Sequence, residues 1–146
     1  MCEKAPLPTP ILIIVVENHG AVVGWPLVIP GETTLIALPF YKDRKTLALI
    51  RQKKAFSINL VNDAQRAVEI FGKPGEKKLE KWGNVVNCKV APCYALGDAS
   101  RVIECIYRGE FGIKDHVVVL CSAVASYGCG KFTMWDPCAN LQLPAV

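Results

Sequence analysis

Strand-forming segments in this chain follow one another in runs, and its helical segments are gathered into one stretch. Residues 11–16, Ile-Leu-Ile-Ile-Val-Val, are a continuous β-branched and leucine run that reads as a buried strand. Glu17-Asn18-His19-Gly20 reads as a four-residue turn, and residues 21–29 resume extended character to complete a hairpin. Pro26 lacks the N–H that a central strand donates, so it marks a bulge or an edge. Pro30-Gly31-Glu32 turns the chain again, and residues 33–40 form the next strand. Only then does helical spacing begin. Residues 44–54 carry Leu47, Leu49 and Ile50 on one side, with Arg51, Lys53 and Lys54 facing water. Residues 55–61 alternate, Phe56, Ile58 and Leu60 against Ser57 and Asn59. A second helix starts from Asn62 as its cap, with Gln65 three residues on and Ala64, Ala67, Val68 and Phe71 sharing a face. Residues 72–75 stop it, and residues 76–82 add one or two helical turns. Strand character then returns over residues 85–96, 101–111 and 117–125, followed by a short Pro-containing tail. About seven strands in runs, without βαβ alternation, favour a mainly β antiparallel barrel over a doubly wound sheet.

A length of 146 residues suits one domain spanning residues 1–146. The hydrophobic share of 51% is enough to offset the entropy of ordering the chain. The six-residue run at residues 11–16 falls far short of the ~20 that a spanning helix needs. The opening MCEKAPLPTPILIIVVEN lacks the apolar length and cleavage site of a signal peptide. A soluble, cytoplasmic protein with no membrane partner is the expectation.

The cysteines are Cys2, Cys88, Cys93, Cys105, Cys121, Cys129 and Cys138, an odd number at spacings that match no common framework. Structural zinc sites use two close pairs, and neither His19 nor His116 pairs with a cysteine at such spacing, so no metal is expected. Reduced, mostly buried thiols are the favoured reading, with an intracellular disulfide as the alternative.

The net charge of +4 is unevenly placed. Lys42, Arg44, Lys45, Arg51, Lys53 and Lys54 are opposed within residues 42–54 only by Asp43, which leaves the rest of the chain near neutral. Nucleic-acid binders spread their basic residues over a broad face interleaved with stacking aromatics, so a nucleic-acid partner is not expected. A solvated helix face and a local anion site both fit this segment.

No G-x-S-x-G, H-E-x-x-H, Walker A or G-x-G-x-x-G motif is present. His116 and Cys121 lie five apart on one expected strand and so point to opposite faces. A flat apolar cofactor with a phosphate needs exposed strand backbone for its ring heteroatoms and a cationic or hydroxyl cluster for the phosphate. Pro26 exposes backbone, Trp25 supplies a planar wall, and Thr46 sits near a helix N-terminus in the basic segment. Trp25 fits a core position as well, and Thr46 a simple helix cap.

The segment GWPLVIPGETTLIALPFYKDRKTLALIRQKKAFSINLV resembles the flavin reductase-like, FMN-binding split-barrel family. The shared elements are a Gly-aromatic strand, a Pro-containing loop, a basic loop ending in Lys or Arg plus Thr, a short helix, and an F-x-x-N-L strand at Phe56, Asn59 and Leu60. Asp115-His116 before residues 117–125 is similar to the family's D-H strand, and Glu104-Cys105 to its Glu-Cys pair. The resemblance implies a Greek-key split β-barrel that dimerises and binds FMN near the subunit interface. Trp25, Pro26, Leu27 and Val28 would line the isoalloxazine ring, and Lys42, Arg44, Lys45 and Thr46 would meet the phosphate. His116 would stand near the flavin or an incoming nicotinamide as the candidate catalytic residue. The implied reaction is hydride transfer from NAD(P)H to flavin, and on to an unidentified small-molecule acceptor. A non-catalytic flavin carrier, sensor or interaction module is the alternative.

Overall fold

The computed structural model describes residues 5–138 and the backbone of residues 141–143. In chain order its elements are β1 (Thr9–Pro10), β2 (Leu12–Val16), β3 (His19–Val23), β4 (Leu27–Ile29), β5 (Leu35–Tyr41), α1 (Lys45–Lys53), β6 (Ala55–Leu60), α2 (Ala64–Phe71), α3 (Lys78–Trp82), β7 (Val85–Asn87), β8 (Tyr94–Leu96), β9 (Arg101–Ile113), β10 (His116–Tyr127), β11 (Met134–Asp136) and β12 (Leu141–Leu143). Seven strands form one antiparallel sheet in the order β3-β2-β6-β9-β10-β5-β4. β3 and β4 are the two edges of that sheet, yet only Gly24, Trp25 and Pro26 connect them. Across a flat sheet the edges would stand ~29 Å apart at ~4.8 Å per strand, whereas such a link reaches at most ~15 Å. The sheet therefore curls until its edges approach, and the result is a mostly β split barrel. The pairings of β2 with β6 and of β5 with β10 are its Greek-key crossovers.

The uniform hydrophobicity of β2 has a simple cause: the strand is buried on both faces. Leu12, Ile14 and Val16 point into the barrel with Leu38, Phe40, Phe56, Ile58 and Val119. Ile13 and Val15 point outward, under a helical layer made by Ala67 and Phe71 of α2 and Leu79 and Trp82 of α3. A Cβ at Gly20 would meet the Phe71 ring at 2.5 Å, so glycine is what lets α2 seat on β3. β6 is likewise buried throughout, and its polar face is fully used. Asn59 Nδ2 donates to the Ile13 carbonyl and to Ser57 Oγ, its Oδ1 accepts from Leu96 N–H, and Ser57 Oγ donates to the Tyr94 carbonyl. Four hydrogen bonds, three of them buried, thus tie β2, β6 and β8 together.

Several sequence expectations need correction. The first turn has two residues, Glu17 and Asn18, because Val16 pairs directly with His19. The extended stretch at residues 21–29 is two strands on opposite edges, and Pro26 opens the edge strand β4. Asp63, not Asn62, caps α2, its Oδ1 accepting the Arg66 N–H at 3.1 Å. The tail contributes β11 and β12, which join β1 in a small separate sheet.

Residues 85–96 are not one strand but the hairpin β7–β8, and Cys88 and Cys93 at its tip form a disulfide. That overturns the expectation of reduced thiols for this pair; the hairpin brings their Cα atoms to 5.2 Å, within disulfide range. Cys105 and Cys121 are buried free thiols as expected, Cys129 is free but exposed, and Cys2 lies outside the described residues. The disulfide loop folds over Glu104, which is fully buried. Its Oε1 accepts from Val90 and Ala91 N–H, and its Oε2 from Lys89 N–H and Tyr127 Oη. Burial alone would raise the Glu104 pKa, but these hydrogen bonds outweigh it and hold the carboxyl below its usual range. Glu104 and the two sulfurs lie within 4.8 Å of one another, a spacing that would suit a cation. The sulfurs, however, are bonded to each other, and the carboxylate faces three N–H donors rather than an open ligand position.

Candidate functional site

A cavity of about 890 Å³ opens where the start of α1, the first residue of β3, the α2–α3 loop and β11 converge. One wall is apolar, built from Ile11, Val22, Phe71 and Trp135, and the other is basic. Arg44 is the residue before α1, with extended backbone and no side-chain cap, so the first N–H groups of the helix are not satisfied by a neighbouring side chain. Thr46, in the first turn, is buried and shares a 3.0 Å hydrogen bond with His19 Nε2. Lys45 and Lys73 complete the basic lining together with Lys78, which is 7% exposed and donates from Nζ to the Phe71 carbonyl. Among the described residues no carboxylate lies within ion-pair distance of Arg44, Lys45, Lys73 or Lys78, and Asp43 is the one acid on the lining.

Titration behaviour records the same field. The pKa of His19 is lowered to about 4 by burial first and then by Lys78, Lys45 and Arg44. Burial also lowers Arg44, and burial with Arg44 and Lys81 lowers Lys78. Neutral imidazole beside clustered cations is the state expected of a pocket awaiting negative charge.

Of the residues singled out from the sequence, Arg44, Lys45 and Thr46 line this cavity. Lys42 does not; it is exposed, and its N–H donates to the Asp115 carbonyl. Trp25 lies just outside, with its ring 5.6 Å from that of the cavity residue Trp135. Its backbone is left-handed at φ 52°, held there by a bond from its N–H to Thr9 Oγ1 at 2.6 Å and from Nε1 to the Leu7 carbonyl at 2.9 Å. Pro26, Leu27 and Val28 follow on the barrel's edge, with Leu27 59% and Val28 52% exposed. Among the described residues β4 pairs only with β5, so one row of its backbone amides is open there. His116 begins β10, stacks on Tyr41 at 4.2 Å and hydrogen-bonds Asp115; it does not line the cavity. His116 and Cys121 are not brought together: Cys121 is buried in the barrel core.

Three lining residues escaped the sequence reading. His19 reads as part of a turn but begins a strand, Lys78 falls within the expected helical turns without being singled out, and Trp135 lies in the short Pro-containing tail. The basic residues around Thr46 were the only local signal for the site.

The model of the flavin reductase like domain family matches residues 4–131, and the chain belongs to that family. No curated protein matches it in sequence. Among solved structures it is similar to the flavoredoxin of Desulfovibrio vulgaris (Miyazaki F), at 16% identity and TM-score 0.83 over 95% of this chain and 87% of that one. The NADH:FAD oxidoreductase of Streptomyces globisporus C-1027 aligns at 14% identity and TM-score 0.82 over 94% and 86% of the two chains. The styrene monooxygenase flavin reductase of Pseudomonas putida S12 aligns at 17% identity and TM-score 0.78 over 97% and 93%. Family and fold support a flavin as the cofactor and flavin-linked oxidoreduction as the class of function. Among the described residues no helix is long and apolar enough to cross a membrane.

The cavity's own chemistry fits such a group. A phosphorylated flavin presents a doubly charged end and a planar ring. Helix N–H groups, a buried hydroxyl and cations without carboxylate partners suit the first. The apolar wall, continued by Trp135 onto Trp25 and the open edge of β4, suits the second.

Proposed function

We propose that this protein is a homodimeric FMN-binding oxidoreductase that accepts hydride from NAD(P)H and passes electrons to a flavin or a flavin-linked acceptor. The observation carrying this reading is the cluster of Arg44, Lys45 and Thr46 at the start of α1, which line a cavity and, among the described residues, have no carboxylate in ion-pair reach. These residues hold the phosphate, and Lys42 adds charge at the rim. Trp25 to Val28 face the ring, their open backbone groups meeting its heteroatoms. The exposed apolar side chains Leu27, Val28 and Ile29 become covered when two subunits meet along this edge. The flavin supplies the two-electron chemistry when bound. The protein's part is to hold the phosphate, shield the ring from water and offer His116 where a nicotinamide would approach.

The test is an FMN titration of the purified protein followed by fluorescence quenching, with NAD(P)H oxidation assayed in parallel. Stoichiometric binding with turnover is the expected result. Lys45→Ala combined with Thr46→Ala should weaken FMN by about 2–4 kcal/mol through lost charge-assisted hydrogen bonds. Unchanged affinity in that variant would remove both residues from the site. A protein that binds FMN but oxidises no NAD(P)H would instead be a flavin carrier or sensor.

A further inference from the structure

We infer that His19 and Lys78 form the second half of the phosphate grip and make the buried end of this cavity select a terminal phosphomonoester. The inference rests on the flavin reading above and specifies which flavin the site takes: the mononucleotide, over riboflavin or a dinucleotide joined by phosphodiester bonds.

The argument begins with where these residues stand. Arg44, Lys45 and Thr46 come from a single loop and helix start, while His19 comes from β3 and Lys78 from α3. An anion beside Thr46 is therefore approached from three separate elements. Thr46 is 1% exposed and Lys78 7%, so these two stand at the floor of the cavity, while Lys45 and Lys73 are exposed nearer its mouth. A phosphomonoester ends in three free oxygens and a charge near −2 at neutral pH, which suits a floor lined with donors. A phosphodiester carries a single negative charge and one fewer free oxygen to share among these donors, so it gains less from them.

Lys78 is held for this purpose by its own surroundings. Its Nζ donates to the carbonyl of Phe71, the last residue of α2, at 3.3 Å, which leaves its other two N–H bonds for the cavity. Burying an ammonium that has one carbonyl partner is costly, and an arriving dianion removes much of that cost.

His19 shares the Thr46 hydroxyl in the absence of a ligand. When Thr46 donates to an anion, His19 Nε2 becomes a donor as well, to Thr46 or to the anion itself. The charged groups facing His19 are Lys78 from α3 and Lys45 and Arg44 at the start of α1, with Asp43 further along the lining. An anion offsets these cations, so its arrival raises the low pKa of His19.

The experiment compares FMN, riboflavin and FAD affinities in the parent protein, His19→Gln and Lys78→Met, with thermal melts to confirm folding. In the parent, FMN should bind about 100-fold tighter than riboflavin, as two or more charge-assisted bonds would give. Each variant should shrink that ratio about 10-fold while riboflavin affinity holds, a pattern that a merely structural role would not produce. Equal losses for FMN and riboflavin, an unchanged ratio in both variants, or FAD binding as tightly as FMN would overturn the inference. Inorganic phosphate, followed at the His19 ring by NMR, separates this inference from the flavin reading. If phosphate raises the His19 pKa while no flavin binds, the grip stands and the flavin reading falls; if flavin binds and phosphate leaves His19 unmoved, the reverse holds.

Discussion

Glu104→Gln is the substitution whose cost the structure specifies most closely. The carboxylate is fully buried, and each of its oxygens accepts two hydrogen bonds at 2.6–2.8 Å. Glutamine preserves the shape but replaces one acceptor oxygen with an NH2 group. In its better orientation the remaining oxygen faces Val90 and Ala91, and the NH2 faces Lys89 N–H and Tyr127, whose hydroxyl can turn to accept. One buried N–H is then left without a partner, at a cost of about 1–3 kcal/mol, and two surviving bonds lose their charge assistance, about 0.5–1 kcal/mol each. The sum is about 2–5 kcal/mol, which for a chain of this size corresponds to a melting point lower by about 10 °C at the middle of that range. Urea denaturation at pH 7 would measure it. The pH dependence supplies a second, independent check. The folded-state pKa of Glu104 lies below its unfolded value, so its contribution is complete above about pH 4.3 and disappears as pH falls through the folded value. The gap between parent and variant should therefore close as the pH is taken from 5 towards 2. A variant within about 1 kcal/mol of the parent at pH 7, or a gap as wide at low pH as at neutrality, would refute the reasoning.

Two further perturbations have defined outcomes. Cys88→Ser with Cys93→Ser frees a six-residue loop and should cost about 2 kcal/mol, seen as a lower melting point. His116→Gln touches a side chain that is 34% exposed and bonded only to its neighbour Asp115, so stability should stay within about 1 kcal/mol. The rate of NAD(P)H oxidation at saturating FMN should fall at least about tenfold if His116 serves the reaction, and an unchanged rate would return it to a packing role with Tyr41.

What the sequence disclosed about the fold followed hydrophobic period. β2, β6, β9 and β10 were legible because burial on one or both faces writes itself into consecutive residues. α1 was legible for the same reason, and Thr46 fell at its start because the basic loop pointed there. The misreadings share a different cause. Lys89, Val90 and Ala91 read as strand because nothing in that stretch shows that their N–H groups are claimed by Glu104, more than a dozen residues later. His19 read as a turn residue because its partner is Thr46, 27 positions away. Lys78 is not singled out because a helix of five residues has too little period to reveal which side is covered.

Barrel closure and candidate site are consequences of the same short connection. Because three residues must carry the chain from one sheet edge to the other, Trp25 is forced into a left-handed conformation, and its N–H and indole N–H are taken up by Thr9 and Leu7 of the N-terminal segment. That segment continues into β1, which pairs with β11 and so positions Trp135 against Trp25 and over the cavity. The seam of a split barrel is also where one row of strand amides stays unpaired. In the complex proposed above a flat, heteroatom-rimmed ring would lie along that open edge and its charged tail would meet the α1 start. The connection that closes this barrel is thus also what sets the open edge and Trp25 beside the cavity residue Trp135.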